Sequence, residues 1–155
     1  MIWGDSTTLL AERTLAETAK GRGFAMPNLV GEGESPHGIP FHYQMRDLPR
    51  KEIASFASLV DPPLDGLVLA DVPRAAVSTK NTTIDDLMKQ YFESVEQEYP
   101  SIVANVVRTT GKLQAMLSHE VEQQCELCDA PLLGHAPERS RLCYGCIRIL
   151  PQAAG

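Results

Sequence analysis

The sequence CELC at Cys125–Cys128 and the sequence CYGC at Cys143–Cys146 contain all four cysteines of the chain. In each CxxC motif the two intervening residues form a tight turn, so that both thiolates can reach one metal ion. Two such turns, separated by fourteen residues, supply the four thiolates of a closed tetrahedral zinc site at nearly the spacing of a zinc ribbon. The predicted zinc ligands are Cys125, Cys128, Cys143 and Cys146.

Four thiols also suit two disulfides or an iron–sulfur cluster, and the cysteine count alone does not separate these outcomes. The first residues, Met1–Gly4, lack the basic start and the long apolar stretch of a secretory signal peptide. No apolar run reaches the roughly 18 residues that a membrane helix needs. We therefore expect a cytoplasmic protein without membrane contact, in which reducing conditions favour Zn²⁺ over disulfides. Zinc is also preferred here over an iron–sulfur cluster.

The bulk composition limits the number of domains and the class of partner. The chain has 155 residues, 43% of them hydrophobic, which is enough for one domain with a buried core and a small appendage. The net charge of −6 excludes a protein that binds nucleic acid through an overall basic surface, but it leaves room for a local basic patch. We divide the chain into an α/β domain at 1–122, a cysteine module at 123–150 and a tail at 151–155.

The N-terminal third alternates between strand and helix patterns. Ile2 and Trp3 resemble the end of a strand, and Asp5 or Ser6 is placed to cap a helix that ends near Gly21. Residues 24–40 are rich in proline and glycine and are predicted to form a mobile surface loop. Period-two alternation predicts a half-buried strand through Phe41, Tyr43 and Met45.

A helix is expected next, capped by Asp47 and with Pro49 in its first turn. Its predicted buried face consists of Ile53, Phe56, Ala57 and Val60. The apolar residues 67–69 suggest either a short strand or a buried turn.

Two further helices are predicted before the cysteines. Thr83 and Asp86 have the spacing of a capping box, with aspartate in place of glutamate. The helix that follows has an apolar stripe at Ile84, Leu87, Met88, Tyr91 and Val95. Ser101 is expected to cap a second helix that ends at Gly111, although its β-branched residues also suit a strand. A last short helix is predicted over 113–121.

Several short sequence blocks occur in the same order as in one known family. The blocks are Gly4–Thr8, Leu10–Arg13, Thr18–Gly23, Arg46–Glu52, Ser78–Lys80, Tyr99–Ser101, Val107–Thr109 and the two CxxC motifs. Together they resemble the cytoplasmic tRNA 2-thiolation protein 2 family. The resemblance implies an incomplete Rossmann-like parallel sheet of the adenine-nucleotide α-hydrolase type, flanked by helices and followed by a zinc-ribbon-like module with four cysteine ligands. The sheet is expected to be incomplete because family members are longer than this chain.

The same resemblance implies a role as accessory subunit of a cytosolic complex that 2-thiolates wobble uridine in the lysine, glutamate and glutamine tRNAs. The implied partners are tRNA, a catalytic PP-loop subunit in a heterodimer, and a thiocarboxylated ubiquitin-like modifier as sulfur donor. The active relatives carry an SGGxDS loop for ATP. This sequence has no such loop and no cysteine in residues 1–124, so we expect it not to catalyse thiolation alone.

Basic residues close to the family-like blocks are candidates for contacts with tRNA phosphates. These residues are Lys20, Arg22, Arg46, Arg50, Lys80 and Arg108. In a chain with net negative charge, scattered solvated charge is the competing interpretation. Two other functions remain open at this point. One is an active sulfurtransferase or adenylating enzyme whose ATP loop lies elsewhere in a longer protein, and the other is a zinc-ribbon module that only binds proteins.

Overall fold

The computed structural model describes residues 1–35, 38–69, 82–113, 123–130, 132 and 141–149. The described residues form three short strands, six α-helices and two 3-10 turns. In chain order the strands and helices are β1 (Ile2–Trp3), α1 (Thr7–Ala19), α2 (Met26–Val30), β2 (Gly33–Glu34), β3 (Pro40–Tyr43), α3 (Arg50–Leu59), α4 (Ile84–Glu98), α5 (Pro100–Thr110) and α6 (Tyr144–Ile149). The 3-10 turns are Gly23–Ala25 and Asp65–Leu67.

Helix α1 is the centre of the fold, because it packs against α2, α3, α4 and α5. The predicted cap is confirmed at Ser6, whose side-chain oxygen accepts a hydrogen bond from the backbone N–H of Leu9 at 3.3 Å. Gly21 follows the last turn with a φ of +78°, the left-handed conformation that ends many helices. Leu10 is fully buried on the inner face of α1 and packs in one cluster with Phe92 of α4 and Val103 of α5.

The sheet is mixed, with strand order β1-β3-β2. Ile2 pairs with His42 in parallel, whereas β2 pairs antiparallel with β3. The prediction of a mixed α/β fold is confirmed, but the parallel Rossmann-like sheet is not, because only one strand pair among the described residues is parallel. Residues 35–39 connect β2 to β3, and a connection this short allows only an antiparallel pair.

The predicted mobile loop over 24–40 is wrong, because this segment contains α2 and β2. Pro27 lies in the first turn of α2, where the missing N–H breaks no helical hydrogen bond. Met26 and Val30 are almost fully buried in the core. The Tyr43 hydroxyl donates to the carbonyl oxygen of Leu29 at 2.9 Å and holds α2 against β3.

Helix α3 differs from its prediction in its cap and in its buried face. Pro49 occupies the capping position without a side-chain hydrogen bond, so Asp47 is not the cap. Of the four predicted core residues only Ala57 is buried, and Phe56 is 66% exposed, because among the described elements α3 packs only against α1 and the 3-10 turn Asp65–Leu67. The predicted strand or buried turn at 67–69 is also wrong, since Leu69 is 97% exposed.

Helices α4 and α5 are confirmed as helices. The capping box between Thr83 and Asp86 is present, but the core residue of α4 is Phe92, whereas Leu87 and Tyr91 of the predicted stripe are about half exposed. Helix α5 begins with Pro100 rather than with a Ser101 cap. Most of the helix predicted over 113–121 lies outside the described residues. Among the helices that the structure describes, none combines the length and apolar character of a membrane span.

Candidate metal centre

The four cysteine sulfur atoms converge on one point, as their spacing predicts. All four Sγ atoms of Cys125, Cys128, Cys143 and Cys146 lie within 4.8 Å of one another, and the Cys128 and Cys143 sulfurs are 3.7 Å apart. In a tetrahedral zinc site with Zn–S bonds of about 2.3 Å, neighbouring sulfurs are about 3.8 Å apart. The cluster therefore fits a tetrahedral metal ion with only small adjustments.

Each CxxC motif is shaped by its own local hydrogen bonds. In the first motif the backbone N–H of Cys125 donates to the Ala130 carbonyl at 2.8 Å, and the N–H of Asp129 donates to the Cys125 carbonyl at 2.8 Å. Asp129 adopts a φ of +58°, which aspartate tolerates better than most residues. This turn brings the Cys125 and Cys128 side chains to the same side.

The second motif lies at the start of α6. The N–H of Cys146 donates to the Cys143 sulfur at 3.4 Å, which is the geometry of a turn built around a thiolate. The two motifs are joined by the N–H of Cys143, which donates to the Cys125 sulfur at 3.2 Å. A salt bridge of 2.8 Å between Arg141 and Glu126 connects their outer surfaces.

The protonation of the cluster differs between its members. Burial opposes ionisation of Cys125, but backbone N–H donors, led by that of Cys143, overcome it and lower the pKa of Cys125 to about 6. Burial and the neighbouring thiols raise the pKa of Cys146 above its ordinary value. Since zinc binds thiolates, a metal ion must displace the Cys146 proton, and its affinity will fall with decreasing pH.

The surroundings of the cluster are apolar. Cys125, Cys143 and Cys146 are almost fully buried, and Phe24, Leu132 and Leu142 pack against them. All four cysteines are free thiols, so the alternative of two disulfides is not realised in this structure. A buried set of four thiolates fits a structural zinc ion, while the choice between zinc and iron stays a prediction.

Two of the predicted RNA-binding residues meet at the C-terminal end of α1. Lys20 Nζ lies 2.8 Å from a carboxylate oxygen of Glu17 and 2.6 Å from one of Asp85. Arg22 Nη1 lies 3.1 Å from the other oxygen of Glu17. Both cations therefore already have carboxylate partners within the chain.

Arg46 and Arg50 make separate internal contacts. Arg46 Nη1 donates to the Val30 carbonyl at 2.7 Å and so joins the segment after β3 to the end of α2. Arg50 Nη2 lies 3.0 Å from a carboxylate oxygen of Glu12, which is buried in α1.

The last two predicted RNA-binding residues differ from these four. Arg108, in the last turn of α5, has no ion pair or side-chain hydrogen bond to another described residue. Lys80 lies outside the described residues. The involvement of all six cations in tRNA binding stays a prediction.

The sequence interpretation missed Phe24, which is the main contribution of the helical part to the cluster. Phe24 lies in a glycine-rich segment for which the sequence predicted a loop. It contacts cysteines about a hundred residues later in the chain, and such a long-range contact forms only when the chain folds. No local pattern in the sequence indicates it.

Comparison with known proteins agrees with the resemblance seen in the short blocks. A family profile described as "Cytoplasmic tRNA 2-thiolation protein 2" matches residues 83–141. Proteins of that same name from Phaeosphaeria nodorum, Pyrenophora tritici-repentis and Aspergillus fumigatus are 48%, 45% and 40% identical to this chain. The matches cover 98%, 99% and 98% of this chain, and 46%, 46% and 44% of the relatives.

The chain thus spans about half the length of the curated relatives it matches. No solved structure matches it. The similarity to the relatives runs through the helical part and the cysteine module alike. Over nearly its whole length the chain is therefore similar to members of the cytoplasmic tRNA 2-thiolation protein 2 family.

Proposed function

We propose that this chain acts in cytoplasmic tRNA 2-thiolation, as part of an accessory subunit that assembles with a catalytic PP-loop subunit. The observation that carries the proposal is the similarity, over nearly the whole chain, to proteins named for this process. The name of these relatives also supports the proposed cytoplasmic location. Wobble uridine of the lysine, glutamate and glutamine tRNAs is the proposed substrate of the complex, and a thiocarboxylated ubiquitin-like modifier is its proposed sulfur donor.

The arrangement of the cysteines supports an accessory rather than a sulfur-transferring role for this chain. A thiolate that carries sulfur must be free to attack a donor and must be accessible. Here three of the four sulfur-bearing side chains are buried, and all four point into one cluster. We assign Cys125, Cys128, Cys143 and Cys146 as ligands of a structural zinc ion, which when bound supplies folding free energy.

Contact with a partner protein has more support than direct contact with tRNA. Four of the six candidate cations are already bound to internal carboxylates or carbonyls. By contrast, helix α4 exposes Leu87 and Tyr91, two apolar residues one turn apart. Exposed apolar residues at helical spacing are the usual anchors by which a helix binds a groove on another protein.

The test is the level of 2-thiouridine in tRNA from cells that lack the protein and carry a replacement gene. Mass spectrometry of tRNA nucleosides measures the modification directly. We expect the wild-type gene to restore it and the double variant Cys125→Ser, Cys128→Ser to restore little. The variant Ser58→Ala, on the exposed side of α3, is a matched control that should restore it fully. Normal 2-thiouridine in the complete absence of the protein would contradict the proposal.

A second measurement separates the accessory role from the active-enzyme alternative. The purified full chain is incubated with ATP, the thiocarboxylated ubiquitin-like modifier as sulfur donor and unmodified tRNA. We expect no 2-thiouridine until the catalytic partner is added. Formation of 2-thiouridine by the chain alone would favour the sulfurtransferase alternative.

A further inference from the structure

We propose that Phe24 is a positioning residue of the metal centre, and that metal binding fastens the cysteine module to the α1 corner. The α1 corner is defined here as residues 20–25, the turn that follows helix α1. This inference rests on the proposed zinc site, but it makes a separate claim. It states that the site is a joint between two distant parts of the chain rather than an independent zinc ribbon.

The first observation is the composition of the apolar wall around the thiols. Leu132 and Leu142 belong to the cysteine module itself, whereas Phe24 comes from the 3-10 turn Gly23–Ala25. Among the described residues, Phe24 is therefore the apolar wall residue that the helical part contributes. An aromatic ring at this place keeps water and other ligands away from the buried sulfurs.

The second observation is the close approach of two glycines at the same contact. A Cβ atom on Gly21 would lie 3.0 Å from two ring carbons of Tyr144, and one on Gly145 would lie 2.7 Å from Cγ of Arg22. Neither position has room for a methyl group without a shift of its neighbour. Gly145 lies inside the second CxxC motif, so the metal-binding turn itself rests directly on the α1 corner.

The third observation is that hydrogen bonds and an ion pair within the helical part fix the conformation of the α1 corner. The backbone N–H of Arg22 donates to the Glu17 carbonyl at 2.8 Å, and the N–H of Ala25 donates to the Arg22 carbonyl at 2.9 Å. The Arg22 side chain is further held by its ion pair with Glu17. The corner therefore presents Phe24 and Arg22 in fixed positions to the module.

The module gains stability from this contact. Helix α6 has six residues, which is too short for a helix that is stable alone. A metal ion bound by Cys143 and Cys146 would hold the start of this helix, Arg22 of the α1 corner lies against Gly145 of the same turn, and Phe24 packs against the buried cysteines. Because both interactions order the same turn, each strengthens the other, and removal of Phe24 should weaken metal retention.

The experiment measures zinc release from the full chain loaded with one equivalent of zinc. Transfer of zinc to the chromogenic chelator 4-(2-pyridylazo)resorcinol gives the rate. We expect Phe24→Ala to release zinc about tenfold faster than wild type, as is typical for residues that support metal ligands without binding the metal. Phe24→Leu, which keeps an apolar side chain, should restore most of the retention.

The matched control is Leu15→Ala. Leu15 is a half-buried residue of α1 that packs against the main core and not against the cysteines. It should lower the free energy of unfolding and leave the zinc release rate near that of wild type. Substitution of Co²⁺ for zinc gives an independent readout, since the thiolate-to-cobalt charge-transfer bands should persist in Phe24→Ala and show that all four ligands remain.

The outcomes separate this inference from the zinc proposal on which it rests. A wild-type chain that takes up no zinc would overturn both together. A wild-type chain that holds one zinc, with the same release rate in Phe24→Ala, would overturn the role of Phe24 alone. Equal acceleration by Leu15→Ala would also overturn it, because the effect would then reflect general loss of stability.

Discussion

Gly21 is the position at which one added methyl group tests the contact between helix α1 and the cysteine module. Its φ of +78° lies in the left-handed region, where alanine costs about 1–2 kcal/mol relative to its ordinary conformation. A Cβ atom there would also lie 3.0 Å from the Tyr144 ring, so the ring must move. Gly21→Ala should therefore lower the free energy of unfolding through two separate effects.

Gly23→Ala is the matched control for this substitution. Gly23 is two residues away, does not have a left-handed φ, and has no atom within 4 Å of the place where an added methyl group would lie. In both variants alanine reduces the entropy of the unfolded chain by a similar amount, about 0.4–1 kcal/mol. This contribution cancels in the comparison, so Gly21→Ala should be less stable than Gly23→Ala by about 2 kcal/mol.

Urea unfolding of the zinc-loaded chain, followed by circular dichroism, measures this difference. A double-mutant cycle with Tyr144→Ala separates the two effects, because the steric part should disappear when the ring is absent. The backbone part, about 1–2 kcal/mol, should persist in that background. If the stability difference between Gly21→Ala and Gly23→Ala is the same with and without the Tyr144 ring, the close packing of the α1 corner against the cysteine module is refuted.

The helical core and the metal site lead to three further predictions. Phe92→Ala should lower the free energy of unfolding by about 3–5 kcal/mol, because it empties a fully buried site. Tyr91→Ala, at a half-exposed site, should lower it by less than about 1 kcal/mol. Chemical denaturation measures both losses, and equal losses would contradict the assignment of Phe92 to the core. Burial, partly offset by Arg50, raises the pKa of Glu12, so the folded chain holds this proton more tightly than the unfolded chain. The resulting stability is present at low pH and is lost as pH rises through the raised folded pKa, so wild type should lose stability relative to Glu12→Gln as pH rises above 4.5. A difference that stays constant with pH would argue against a buried Glu12. Removal of zinc by a chelator should lower the melting temperature and increase amide hydrogen exchange in α6 and at the α1 corner. Unchanged exchange at the α1 corner would contradict the inference that metal binding stabilises its contact with the cysteine module.

Local signals explain which parts of the fold were predictable. The Ser6 cap and the Thr83–Asp86 capping box depend on residues three positions apart, and both are confirmed. The convergence of the cysteines likewise depends on two short turns with a known ligand geometry. Such features depend mainly on neighbours in the sequence, which is why short patterns could predict them.

Tertiary packing explains the failures. The prolines and glycines of 24–40 predicted a loop, but α1 and α5 bury Met26 and Val30 and make a short helix favourable there. On α4 the choice between Tyr91 and Phe92 as core residue depends on a rotation of about 100° around the helix axis, which the spacing of apolar residues does not determine. Thr8 adds a polar anchor, since its hydroxyl donates to the buried Glu96 at 2.8 Å. The same rotation of α4 about its axis buries Phe92 and places Glu96 next to Thr8.

The ion pairs of the α1 corner limit how readily Lys20 and Arg22 could bind tRNA phosphates. Lys20 and Arg22 share Glu17, and Lys20 also binds Asp85, so two cations face two carboxylates within hydrogen-bond distance. At physiological ionic strength the screening length is about 8 Å, and a locally neutral group of four charges attracts phosphate only weakly beyond it. A tRNA phosphate would have to replace a carboxylate that is already in contact. The same ion pairs hold Arg22 against Gly145 of the metal-binding turn. The charges at this corner therefore stabilise the contact between the cysteine module and the helices, and the proposed use of Lys20 and Arg22 in tRNA binding would require these ion pairs to open.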